Sequence, residues 1–64
     1  MKIRDVLKRL RDDGWYEVRR RGSHRVLKHH NKPGIVVVPG RLSDEVAPGT
    51  FKSIRDQAQL EGKL

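Results

Sequence analysis

The chain has 64 residues, no cysteine, and 15 Lys+Arg against 8 Asp+Glu, a formal charge of +7 with a pI near 10.6. That length permits one domain over residues 1–64, and such a domain buries only about 60% of the surface its unfolded chain exposes, so it holds one thin core. Disulfides and thiolate metal sites are excluded; the cationic excess predicts a nucleic acid partner, and not a membrane, because neither end carries the long one-sided apolar stripe of an interfacial helix.

Ile3, Val6, Leu7 and Leu10 stand at i, i+3, i+4 and i+7, one face of a helix, with Lys2, Arg4, Lys8, Arg9 and Arg11 over the rest. Met1-Lys2-Ile3 leads straight into this charged helix, where a secreted protein would show an apolar leader, so a cytoplasmic location is expected. Gly14 suits a left-handed close to the helix. Trp15 to Arg21 and His24 to His29 then read as two strands, joined through Gly22-Ser23, a two-residue signal for a type II′ hairpin.

A two-residue loop fixes a register in which Arg21 faces His24, Arg20 faces Arg25, Arg19 faces Val26, Val18 faces Leu27 and Glu17 faces Lys28. Strict alternation assigns Tyr16, Val18 and Leu27 to the face covered by helices. It leaves Glu17, Arg19, Arg21, His24, Val26 and Lys28 on an open face. Arg25 points to the covered side in this register, although its charge makes it a candidate contact to a nucleic acid backbone.

Asn31 to Gly34, with Pro33-Gly34, forms a second turn, and Ile35 to Val38 is an apolar strand ended by Pro39. Residues 40 to 49 read as a polar loop. Phe51, Ile54 and Ala58 recur at helical spacing after Pro48, Gly49 and Thr50, which supply start signals. The expected fold is therefore α+β, in the order α-β-β-β-α: a three-stranded antiparallel sheet with two helices on one face, the arrangement of double-stranded-RNA-binding modules.

On the open face the residues suit cleavage of RNA by its own 2′-hydroxyl. That reaction needs a base for the hydroxyl proton, an acid for the departing oxygen and cations for the charge on phosphorus. Histidine is the side chain whose ordinary pKa suits proton transfer near neutrality, which singles out His24. Arg21 opposite it can grip a phosphate by a bidentate fork. Arg19, Arg25 and Lys28 extend the cationic reach, and Ser23 can donate to a phosphate oxygen. With one histidine on that face, water or His24 itself must supply the second proton step, so catalysis is expected to be slow.

Blander readings stand beside these. A turn histidine is ordinarily just solvated, Arg19-Arg20-Arg21 can simply protect a strand edge from aggregation, and Ser23 suits a II′ turn for local reasons. His29 and His30 are adjacent on a strand and point to opposite faces, so no metal chelate is expected. Trp15 can stack an RNA base, but a small domain needs its few aromatics inside, which favours packing against the first helix. The residues alone leave open a ribonuclease, a non-catalytic RNA-binding module, and a protein whose basic surface docks an acidic partner.

Asp13-Gly14-Trp15, Arg19 to His24, Val36-Val37-Val38-Pro39, Pro48-Gly49-Thr50, Ser53-Ile54 and Gln57-Ala58 together resemble the HicA family of mRNA interferase toxins over nearly the whole chain. The resemblance implies a metal-independent endoribonuclease acting on mRNA without a cofactor, neutralised by a HicB-type antitoxin. It places the single catalytic histidine at His24 and the family's preceding glycine and serine at Gly22 and Ser23. An acidic antitoxin surface covering the basic hairpin and His24 follows from charge complementarity. Two departures stand out: Gly40-Arg41 occupy the place where many relatives carry a further histidine after the strand-ending proline, and Gln59 replaces a glycine near the end of the last helix.

Overall fold

The computed structural model describes residues 1–60 as α1 (Ile3–Asp12), β1 (Trp15–Arg21), β2 (His24–His29), β3 (Val36–Val38) and α2 (Pro48–Ala58). The strands form one antiparallel sheet in the order β1-β2-β3. Ile3, Val6, Leu7 and Leu10 of α1 and Ile54 and Ala58 of α2 share one core with Trp15, Leu27, Val36 and Val38 of the sheet. Both helices therefore cover the same sheet face, and the fold is the α+β arrangement expected. Among the described residues no helix is long and apolar enough to cross a membrane.

The first helix buries the four apolar positions that its 3.6-residue period brings together. Its orphan N-terminal donors are satisfied from two sources. Asp5 Oδ2 accepts the Lys2 N–H at 3.0 Å, while Ile3 N–H and Arg4 N–H donate to Asp44 O and Leu42 O at 2.9 and 3.1 Å. The segment after β3 is thereby strapped along the chain's beginning, and Lys2 forms a β-bridge with Glu45. Gly14, at φ 104°, turns the chain from α1 into β1 as the sequence predicts.

Strands β1 and β2 begin and end where the residues place them, and the three pairs nearest the turn are Arg21↔His24, Arg20↔Arg25 and Arg19↔Val26, as expected. Beyond Arg19 the register changes. A β-bulge between Glu17 and Arg19 leaves Val18 without a Cα partner, so Glu17 faces Leu27 and Tyr16 faces Lys28. The expected pairs Val18 with Leu27 and Glu17 with Lys28 do not form. One extra residue inverts the faces on its far side: Glu17 shares the helix side with Leu27, and Tyr16 and Val18 are exposed at 40% and 47%.

The third strand is shorter than its apolar run, with Ile35 exposed outside it. It pairs with β2 through Arg25↔Val38, Val26↔Val37 and Leu27↔Val36. Helix α2 starts at Pro48, within the expected loop, because a proline at the first helical position loses no needed donor.

Candidate nucleic-acid interface and catalytic histidine

The tip of the β1–β2 hairpin carries the candidate site. Gly22 lies at φ 60° while Ser23 is outside the positive region, the combination a type II′ turn demands at its two central positions. A Cβ added to Gly22 would meet nothing within 4 Å, so the turn is open to an approaching ligand. His24 is the first residue of β2 and is exposed. Its cross-strand partner is Arg21, and Arg19 and Lys28 follow along the same outer face through the pairs Arg19↔Val26 and Tyr16↔Lys28.

These cations differ in how they are held. Arg20 lies 3.5 Å from Glu17 Oε2, whereas among the described residues Arg19, Arg21 and Lys28 form no salt bridge. Three cations on an uncovered face beside an exposed imidazole can hold phosphates in line with a proton acceptor.

Arg25 sits elsewhere. It is 7% exposed, and its Nη1 donates to Gly40 O at 3.0 Å and to Ser23 O at 3.3 Å, with Nε 3.6 Å from Glu17 Oε1. The guanidinium thus fastens the turn carrying His24 to the segment that follows β3, a structural duty in place of the backbone contact expected from its charge. Among the described residues no buried side-chain polar atom lacks a partner.

The same fastening brings in a residue that sequence reasoning left out. Arg41 and Leu42 line a shallow pocket with Gly22, Ser23 and Arg25, which sets a further cation beside the hairpin tip. Its only sequence signal was its place after Pro39, where many proteins of the resembled family carry a histidine.

The two remaining histidines diverge as alternation requires. Asn31 N–H and Lys32 N–H donate to His29 Nδ1 at 2.9 and 3.2 Å, so Nε2 bears the hydrogen and donates to Asp13 O at 2.6 Å. His30, exposed, stacks on Tyr16 on the outer side. Trp15 is 2% exposed, donates from Nε1 to Asp13 Oδ2 at 3.2 Å, and packs edge-on against His29. It is a core residue and offers RNA no face. No group of three or more His, Asp or Glu suited to a metal ion occurs among the described residues.

Residues 3–60 match the family model of the HicA toxin of bacterial toxin-antitoxin systems. No curated protein matches the chain.

Proposed function

The chain belongs to the HicA family of toxins of bacterial toxin-antitoxin systems, and from that premise we propose that it is a metal-independent endoribonuclease cleaving mRNA, with His24 as its proton-transfer group. The observation that carries this reading is the pairing of His24 with Arg21 across a two-residue turn, on a face that the helices leave open.

In the reaction His24 takes the proton of a ribose 2′-hydroxyl. The 2′-oxygen attacks the adjacent phosphorus, the bond from phosphorus to the 5′-oxygen breaks, and the products are a 2′,3′-cyclic phosphate and a 5′-hydroxyl. The departing oxygen takes its proton from His24 or from water. Arg21 clamps the non-bridging oxygens as charge builds on them, and Arg19, Arg41 and Lys28 hold neighbouring phosphates. Gly22 leaves room for the backbone of the RNA, and Ser23 donates a hydrogen bond to it. Arg25 acts indirectly, by holding the turn.

A HicB-type antitoxin neutralises the protein by laying acidic groups over the basic hairpin and burying His24. A complex that abolishes cutting while leaving His24 open to solvent would contradict this.

The decisive measurement incubates single-stranded RNA and a chelator with wild-type protein or with His24→Ala. Wild type cuts and the variant, equally folded, loses at least about 100-fold of the rate, the usual worth of a positioned proton-transfer group. Intact RNA with wild type would reduce the protein to an RNA-binding module, and equal cutting by both would show that the cleavage does not depend on His24.

A further inference from the structure

We propose that Tyr16 and His30, stacked on the open sheet face at the far end of the ribbon from His24, form a platform on which a base of single-stranded RNA stacks while its strand runs to the hairpin tip.

The rings lie 4.9 Å apart between centroids and 30° from parallel, and both residues are exposed. They meet because the bulge brings Tyr16 opposite Lys28, which makes His30 its diagonal neighbour on the same face. Tyr16, Arg19, Arg21, His24 and Lys28 thus share one surface. From Lys28 to His24 is four strand steps, roughly 13 Å at about 3.3 Å per residue.

The chain has one Trp, one Tyr and one Phe. Trp15 is buried, Phe51 packs partly against the core, and only Tyr16 stands on the cationic face. A domain with so thin a core gains from burying such a ring, yet here it lies outside with an imidazole stacked on it. A flat π-surface beside phosphate-binding cations is how single strands are held without sequence preference. A duplex keeps its bases stacked on one another and offers no free face to such a platform. The occupant is therefore single-stranded RNA, despite the resemblance of the fold to double-stranded-RNA-binding modules.

The identity of the strand rests on the ribonuclease reading, while the stacking contact does not depend on cleavage. The test uses the full chain carrying His24→Ala, so that RNA stays intact, and titrates it into a fluorescein-labelled single-stranded oligoribonucleotide and, separately, into inorganic polyphosphate, which has the charge without the bases. Adding Tyr16→Ala weakens RNA binding roughly 5- to 150-fold and leaves polyphosphate binding as it was; Tyr16→Phe, which keeps the ring, recovers the RNA affinity. Equal weakening toward both ligands would mean damaged folding or a lost charge field, and unchanged binding of both would leave the pair to a protein partner; either overturns the platform. Cutting assays with His24 intact separate the two readings. Wild type that binds RNA through Tyr16 yet cuts nothing sinks the ribonuclease alone. Wild type that cuts, with Tyr16→Ala binding and cutting as well, sinks the platform alone.

Discussion

At Gly14 the backbone sits at φ 104° and an added Cβ would lie 2.7 Å from His29 Nε2. That imidazole cannot swing aside cheaply, because it bonds Asp13 O on one edge and two backbone N–H groups on the other. Gly14→Ala therefore meets left-handed strain and a steric clash together, and thermal unfolding should show a loss of about 2–4 kcal/mol. Arg25 is the other residue whose surroundings decide its role. Arg25→Met keeps the aliphatic stem and removes the donors to Gly40 O and Ser23 O, leaving those carbonyls short of partners. A stability loss of about 1–3 kcal/mol is expected, with slower cleavage from a turn no longer fastened. Cleavage at the wild-type rate would show that the fastening is dispensable to His24.

Among the elements, β1 is the one whose behaviour alternation alone misjudges. Trp15, Arg19 and Arg21 are all odd-numbered, so a regular strand would present them on one face. The core requires Trp15 inside, whereas the ligand-facing surface requires Arg19 and Arg21 outside. The bulge between Glu17 and Arg19 resolves the conflict by one extra residue. Helix α2 closes with a comparable local compromise. Leu60 N–H bonds Arg55 O and Gln59 N–H bonds Asp56 O, a Schellman arrangement that puts Gln59 at φ 52°. Lys32 Nζ caps the same end by donating to Ala58 O and Gln59 O at 3.1 Å each. Glycine adopts this backbone without the Cβ penalty, so Gln59→Gly should stabilise by about 0.5–1 kcal/mol after its own entropic cost. In a domain of this size that raises Tm by roughly 2–8 °C, whereas Gln59→Ala should give no such gain.

For the molecule as a whole, the charge of +7 matters through where it faces. Helix α1 carries several of the cations on its solvent side, but Arg19, Arg21 and Lys28 line one sheet face with His24. With Arg41 at the hairpin tip, four phosphate contacts on a single strand predict a slope of about −3 for log affinity against log salt, and Arg21→Ala should reduce it by about 0.7. A slope near zero would place the RNA away from this face. Acidic groups on an antitoxin would meet the same field, so its association should slow steeply as salt rises.

Much of this protein is local and therefore legible in the chain. The apolar period of α1, the positive φ that Gly14 and Gly22 accept, and the Gly-Ser turn each depend on residues close in sequence. Together they established the element order, the hairpin and the pairing of Arg21 with His24. The resemblance of short motifs, matched over residues 3–60, carried the family. Tertiary packing decided what neighbours in sequence could not: that Tyr16 stays outside although Trp15 is in the core, where the strand must bulge to allow it, that Arg25 is spent on Gly40 O and Ser23 O, and that Arg41 comes to the hairpin tip. Each depends on fitting one face of a sheet under two helices, and a one-residue slip there exchanges every side chain between core and solvent.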